Sequence, residues 1–360
     1  MKESKLILYQ ETFPIYRKEF IDLLYQSYGS RLTLKLYGSI GMDVKTDSFY
    51  QSWVLRGGRQ FNLAGKLKLW TGDIFRDFFK CAKFVYPAFS NNLSIFAIAL
   101  ISIFYRRDIY YWGHFRSGVG KVGSVIRIAF FLLSGRYIFY TETEMKEFLN
   151  VPFFHLFKSR VNFIGNAINL SEINKYRLSY VVENRNRDIL FIGRNTPKAK
   201  FNQLLCLAKT KECADVIFHV IGIHKQDLPF ASKVPGNVVF HGILVNEVEI
   251  ANIANKCRVA FYPGSVGLSL IHAAAYGLPT VLLSGKSNHM PEFELVSKAN
   301  CALLAPSEDD FLSIIRNSLF DAEFDSILNC LSQRCLEGVR VFFSPSTMRD
   351  RFINILEKES

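Results

Sequence analysis

The sequence predicts an α/β protein built from two Rossmann-like domains that face each other across a cleft. Three observations predict it. Short β-type runs alternate with helical patterns along the whole chain, which indicates parallel sheets covered by helices. The runs number eleven, too many for one ordinary doubly wound sheet. A polar stretch, "NLSEINKYRLSYVVENRNRD" at 169–188, divides them into five and six.

In the first half, β-branched and aromatic runs place strands at "KLILY" (5–9), "LTLKLYG" (32–38), "DIYYWG" (108–113), "YIFYT" (137–141) and "VNFIG" (161–165). In the second half they lie at 188–193, 215–222, 237–242, 258–263, 280–284 and 301–305. Helical periodicity falls between them at 200–210, 246–256, 267–276 and 308–319. Ser307 with Asp310 three residues on reads as a capping box, so "SEDDF" is a helix start and not a metal site.

Composition narrows the class. The 360 residues are 49% hydrophobic and 14% aromatic, enough for two domains with cores of their own, and no repeat of fixed period occurs. Seven cysteines form no C-x-x-C pair and no secretory leader opens the chain, so reduced core thiols in a cytoplasmic protein are expected. The longest apolar run, Leu93 to Tyr105, has 13 residues. A spanning helix needs about 20, so this run reads as a buried helix or one lying at an interface.

The net charge of +12 is unevenly placed. Residues 1–170 carry 23 Lys/Arg against 12 Asp/Glu, whereas 171–360 carry 21 against 20. Between 51 and 136 the ratio is 13 to 3, amid many Phe, Tyr and Trp. Such mixing suits an anionic surface, whether phospholipid, a lipid-pyrophosphate or nucleic acid; a solvated basic face is the plainer alternative. No named nucleic-acid motif accompanies it.

The chemistry concentrates in "YPGSVGLSLIHAAAYGLPTVLLS" (262–284). A strand ends, Gly264-Ser265-Val266-Gly267 follows, and a helix begins near Leu268. A helix N-terminus offers unpaired N–H groups and partial positive charge, and glycine lets backbone approach a phosphate. In the loop after the first strand of the same half, Arg194 and Lys200 supply two cations. Together these features describe a nucleotide-diphosphate pocket, while each alone also suits an ordinary βα connection.

The first half offers weaker signals. "GVGKVG" (118–123) fits G-x-G-x-x-G, yet four residues separate it from the preceding strand, and it is read as a flexible acceptor-side loop. His114 sits just past a strand end, where it would orient an acceptor, touch a donor phosphate or simply serve the structure. Glu11 and Arg17 lie in the first βα loop and are candidates for lining an acceptor site.

The second half resembles the donor domain of glycosyltransferase family 4, enzymes of the GT-B fold. Four pieces carry the resemblance in order: "FIGRNTPKAKFNQLL" (191–205), "VVFHGIL" (238–244), 259–281 and "MPEFELVSKANCALLAPSEDD" (290–310). "VNFIGNAI" is similar to the segment before the family's interdomain linker, and "FFSPSTMRDRFINILEKES" to its last helix, which crosses back to the first domain. The resemblance implies an acceptor domain at 1–170, a donor domain at 171–345 and a returning helix at 346–360.

It also implies a metal-independent, retaining transfer of a sugar from a nucleoside-diphosphate sugar to a hydroxyl. Arg194 and Lys200 would hold the pyrophosphate, with Lys198 a rival because Lys200 lies one residue late. Residues 264–268 would give backbone N–H groups, and Glu292 would stand near the donor. The family's Glu-x7-Glu falls on Gly264 and His272, so the histidine is assigned to ribose, and Glu292, Glu294 or His289 would replace the missing first carboxylate. The expected partners are a lipid-linked glycan acceptor of capsule or O-antigen type and the anionic inner face of the cell membrane. An epimerase or a non-catalytic nucleotide-sugar-binding protein of the same fold remains the alternative.

Overall fold

The computed structural model describes residues 5–12, 14–38, 53–63, 65–80, 82–116, 120–228, 234–285 and 289–357. The chain forms two compact units, Met1–Ala167 with Pro345–Ser360, and Ile168–Ser344.

In the first unit, the strands are β1 (Lys5–Gln10), β2 (Leu32–Leu36), β3 (Val54–Arg56), β4 (Gln60–Asn62), β5 (Lys68–Trp70), β6 (Ala82–Pro87), β7 (Ile109–Trp112), β8 (Arg136–Phe139) and β9 (Val161–Phe163). The helices are α1 (Lys18–Tyr28), α2 (Asp73–Arg76), α3 (Leu93–Tyr105), α4 (Gly120–Ser134) and α5 (Glu142–Leu149). Among the described residues the main sheet runs β3-β2-β1-β6-β7-β8-β9, all parallel, and β4–β5 is a separate antiparallel pair.

Expected strands appear as β1, β2, β7, β8 and β9. β3, the β4–β5 pair and β6 were not anticipated. β6 sits at the centre of the sheet, so it is apolar on both faces and lacks the alternation that marks a half-buried strand. Its Lys83 is tolerated because the ammonium donates to the Leu356 carbonyl while the stem stays buried. One sheet face packs under α3, α4 and α5, with Tyr111 stacked on Phe131 at 4.3 Å.

The second unit contains α6 (Leu170–Tyr176), β10 (Ile189–Ile192), α7 (Phe201–Ala208), β11 (Phe218–Ile221), β12 (Val238–Gly242), α8 (Glu247–Ala254), β13 (Val259–Tyr262), α9 (Leu268–Ala275), β14 (Thr280–Leu283), α10 (Glu294–Ala299), β15 (Ala302–Ala305), α11 (Phe311–Phe320) and α12 (Glu323–Phe342). Its parallel sheet runs β12-β11-β10-β13-β14-β15 and uses each of the six expected strands. Gly277 adopts φ +72° just past α9, and its N–H and that of Leu278 take the carbonyls of Ala274 and Ala273, which ends the helix.

The last helix, α13 (Pro345–Glu357), belongs to the first unit, where Phe352 meets Phe20 of α1 edge-on at 5.8 Å. It completes the core on the second face of the seven-stranded sheet. Cys81 lies outside the described residues. Free thiols are found at Cys213, Cys257, Cys301 and Cys335, all buried as expected of core thiols, whereas Cys206 and Cys330 are exposed. Their flanking helix faces α7 and α12 turn outward at those positions. Among the described residues no helix is long and apolar enough to cross a membrane.

Candidate donor and acceptor sites

In the second unit the strand order reverses between β10 and β13, which are neighbours in the sheet. Ligands in such sheets bind beyond the carboxyl ends of the strands at this switch point. The two loops that leave it, 193–200 and 263–267, are in contact. The Ser265 N–H donates to the Lys198 carbonyl at 2.7 Å. A Cβ on Gly264 would stand only 2.2 Å from that same oxygen and 2.6 Å from the Ala199 carbonyl carbon. Gly264 is therefore glycine because backbone crosses backbone, and no carboxylate fits where the family resemblance expects one.

A third loop closes on the same spot. The Met290 N–H donates to the Val266 carbonyl at 2.9 Å. The His289 ring accepts the Val266 N–H at Nδ1 (3.4 Å) and donates from Nε2 to the Leu283 carbonyl at 2.8 Å, stacked on Phe293 at 4.4 Å. Burial holds this histidine below its ordinary pKa, in keeping with a neutral ring. Both of its nitrogens are used to brace the loop. Glu292 is buried, and its Oε2 would lie 3.5 Å from a Cβ on Gly267, at the start of α9. Glu294 is instead paired to Lys298 at 2.7 Å on its own helix.

Arg194 is exposed just beyond β10 and makes no ion pair among the described residues. Lys198 is exposed as well. Lys200 adopts φ +49° and pairs with Glu308, which also receives Gln203. Glu308 opens the turn enclosed by the Ser307–Asp310 capping box, which is present as expected.

His272, on α9, meets a residue that the sequence reading did not single out. Its Nε2 lies 3.2 Å from the Glu247 carboxylate, which accepts the Tyr276 hydroxyl at 2.7 Å. Burial alone would raise the Glu247 carboxyl, but the bonds from His272 and Tyr276 prevail and hold it below the usual range. Glu247 opens α8, capped by Asn246, and an Asn-Glu pair before a helical run was the available signal.

The first unit has a cavity of ≈530 Å³ at the carboxyl ends of β1, β6, β7 and β8, lined among others by Gln10, Asn91, Trp112, His114, Arg127 and Tyr140. His114 Nδ1 is 3.1 Å from Glu144 Oε1, an oxygen that also accepts the Phe115 N–H at 2.9 Å. Glu144 is buried at the start of α5, behind the Thr141 cap. The Arg127 guanidinium fixes the turn by donating to the carbonyls of Ala88, His114 and Phe115. Glu144 was missed because "TETE" reads simply as a helix cap.

Arg17 is buried over the rings of Trp112 (4.7 Å) and Tyr140 (5.0 Å). Glu11 is tied to the β4–β5 pair by Lys68 at 2.5 Å and Gln60 at 3.2 Å. Of the "GVGKVG" glycines, Gly118 lies outside the described residues, while α4 begins at Gly120. Among the described residues no group of three His, Cys, Asp or Glu side chains is placed to hold a metal.

Residues 186–320 match the family model described as Glycosyl transferases group 1. No curated protein matches the sequence. Among solved structures, HepE from Anabaena in complex with UDP superposes with a TM-score of 0.71 at 14% identity, over 99% of this chain and 100% of that one. The α,α-trehalose 6-phosphate synthase of Burkholderia multivorans gives 0.63 at 11%, over 99% and 97%. TarM gives 0.59 at 14%, over 81% and 59%. At these identities the likeness is one of fold. The fold is GT-B, and with it the family match over the second unit indicates a glycosyltransferase that uses a nucleotide sugar.

Proposed function

We propose that the protein is a retaining glycosyltransferase of family 4 type. It moves a sugar from a nucleoside-diphosphate sugar to a hydroxyl of a lipid-linked glycan, in capsule or O-antigen assembly at the inner face of the cell membrane. The observation that carries this reading is the meeting of the 193–200 and 263–267 loops at the β10/β13 switch point, where α9 begins. That junction joins the N-terminus of α9 to the loop that carries the cations Arg194, Lys198 and Lys200, the chemistry that receives a diphosphate, while the expected N–H groups of Ser265 and Val266 are spent within the loops.

In the reaction the acceptor oxygen bonds to the anomeric carbon as the carbon–oxygen bond to the diphosphate breaks. The electron pair departs with the diphosphate, and the acceptor proton passes to the leaving oxygen. Arg194, Lys200 and the α9 N-terminus stabilise the departing charge without a divalent metal. Glu292, beside Gly267, is assigned to the donor sugar, and His272 with Glu247 to the ribose. His114, oriented by Glu144 at the mouth of the first unit's cavity, positions the acceptor. The 1–170 portion is the acceptor side and 171–345 the donor side. HepE was solved with UDP, which makes UDP the first nucleotide to test.

The test is a thermal-shift series with UDP, GDP, dTDP, ADP and CMP, each with and without magnesium. A ligand at 100 times its dissociation constant adds about 2.7 kcal/mol of stability. One nucleoside diphosphate should stabilise the protein regardless of magnesium, and Arg194→Ala should abolish the effect. Stabilisation by none of them would overturn the reading.

A further inference from the structure

α3 and α4 lie side by side on one face of the first unit's sheet, with the Phe96 ring 5.5 Å from Phe130 and 5.1 Å from Phe131. Their inner faces bury Ile95, Ile98, Ile128 and Phe131, as any covering helix does. Their outer faces are apolar too. On α3 the exposed apolar positions are Leu93, Leu100, Ile103, Phe104 and Tyr105, of which Leu93, Leu100 and Phe104 form one stripe along the helix; on α4 Val122, Ile126 and Leu133 form a second stripe. Phe104 is 79% exposed, Val122 74% and Ile126 64%.

Neither helix carries an acidic residue, and the charged side chains on the two are Lys121, exposed, and Arg127, buried. A helix that is apolar on every side belongs in a core or against lipid, and contiguous exposed patches of this sort mark interaction surfaces. Cations stand at both ends of the stripes. Arg106 is exposed immediately after α3, and Lys121 opens α4. A cavity of ≈460 Å³ separates Val122 and Ile126 from Val151 and Pro152, with Lys121 and Arg116 also in its wall. Arg116 reaches Glu147 at 3.4 Å and is largely exposed.

We propose that the outer face of α3 and α4 docks on an anionic phospholipid bilayer. The two apolar stripes enter the headgroup–acyl boundary, to a depth of roughly 5–10 Å, while Arg106, Arg116 and Lys121 pair with lipid phosphates. A second copy meeting this face through a two-fold axis would set the same cations against one another, which disfavours self-association. Between residues 51 and 136 the sequence carries 13 basic against 3 acidic side chains, although Lys83 and Arg127 among them are buried and take no part in the face. The assignment deepens the proposed membrane-side role and rests on it.

The test is flotation of the full chain with vesicles of phosphatidylcholine alone or with one-third phosphatidylglycerol, together with UDP thermal shifts on the same samples. The protein should float with the anionic vesicles, and less as salt rises. A Leu100→Ser, Phe104→Ser, Ile126→Ser variant should lose about tenfold or more of its partitioning, with an unchanged melting temperature and unchanged UDP stabilisation. Lys121→Gln with Arg106→Gln should remove the salt-sensitive part. No binding by the unaltered protein, or equal binding by the triple variant, would overturn the assignment. So would a dimer that the triple variant converts to monomer, since the face would then belong to a second copy. Absence of UDP stabilisation in every sample would bear on the transferase reading, because flotation reads the docking face directly.

Discussion

His272 on α9 and Tyr276, the residue that caps that helix one turn later, both bond the carboxylate of Glu247 on α8, at 3.2 Å and 2.7 Å. The sequence resemblance places His272 where the family carries its ribose-binding glutamate. Here a carboxylate reaches that place from another helix, with the histidine as intermediary. If the trio receives ribose, His272→Ala should weaken binding of the stabilising nucleoside diphosphate about tenfold, the range of one hydrogen bond to a charged group. Calorimetry should also show that an analogue lacking both ribose hydroxyls binds the variant and the unaltered protein equally. Equal affinity of the two proteins for the ribonucleotide would make His272 a packing residue.

Gly264 tests whether the loop junction is steric in origin. An alanine Cβ would stand 2.2 Å from the Lys198 oxygen, so one loop must move and the 2.7 Å bond from Ser265 is lost or stretched. Overpacking of this kind costs about 1–3 kcal/mol. At Gly267 the neighbours of an added Cβ are the Met290 side chain at 3.3 Å and Glu292 Oε2 at 3.5 Å, which can yield. Chemical denaturation should therefore show a clear loss for Gly264→Ala and a smaller one for Gly267→Ala. Equal losses would mean that the crossing of the two loops does not set the requirement.

Lys200 pairs with Glu308, with 45% and 40% of their side chains exposed. A pair so open to solvent contributes about 0–1 kcal/mol, so Lys200→Ala should barely alter stability. Its value for binding is different. If Lys200 turns to the diphosphate, it must leave Glu308, and Glu308→Gln removes that competitor. Nucleotide binding at low salt should then tighten about two- to fivefold. Unchanged affinity in Glu308→Gln, together with lost affinity in Lys198→Ala, would pass the phosphate role to Lys198.

These residues also show what the sequence discloses. The six strands of the second unit were legible because each is short, apolar and bounded by turn residues. The loop at Gly264 was legible as an anion site from its glycines, yet the bond from Ser265 to Lys198 joins positions 67 residues apart, and no local pattern encodes that. Glu247 and Glu144 were hidden for the same reason. Each sits at a helix start, where a glutamate already has a local explanation, and only the folded chain brings it to a histidine. β6 was overlooked because a central strand, buried on both faces, loses the period of two.

The bracing role of His289 has a consequence for acid stability. Its Nδ1 accepts the Val266 N–H and its Nε2 donates to the Leu283 carbonyl, so protonation would set one N–H against another. Burial lowers its folded pKa beneath the unfolded value of 6.5, and His241 moves the same way through burial and the neighbouring His219. The folded state thus binds protons less readily than the unfolded chain. The stability from this difference is fully present above about pH 6.5 and is lost as pH falls through the lowered folded values. Melting temperature should be nearly flat from pH 8 to 7 and decline below 6.5. Glutamine can still accept and donate without titrating, so His289→Gln should lower stability at pH 7.5 but flatten the acid limb. An acid limb identical to that of the unaltered protein would remove His289 from the account and leave the decline to His241.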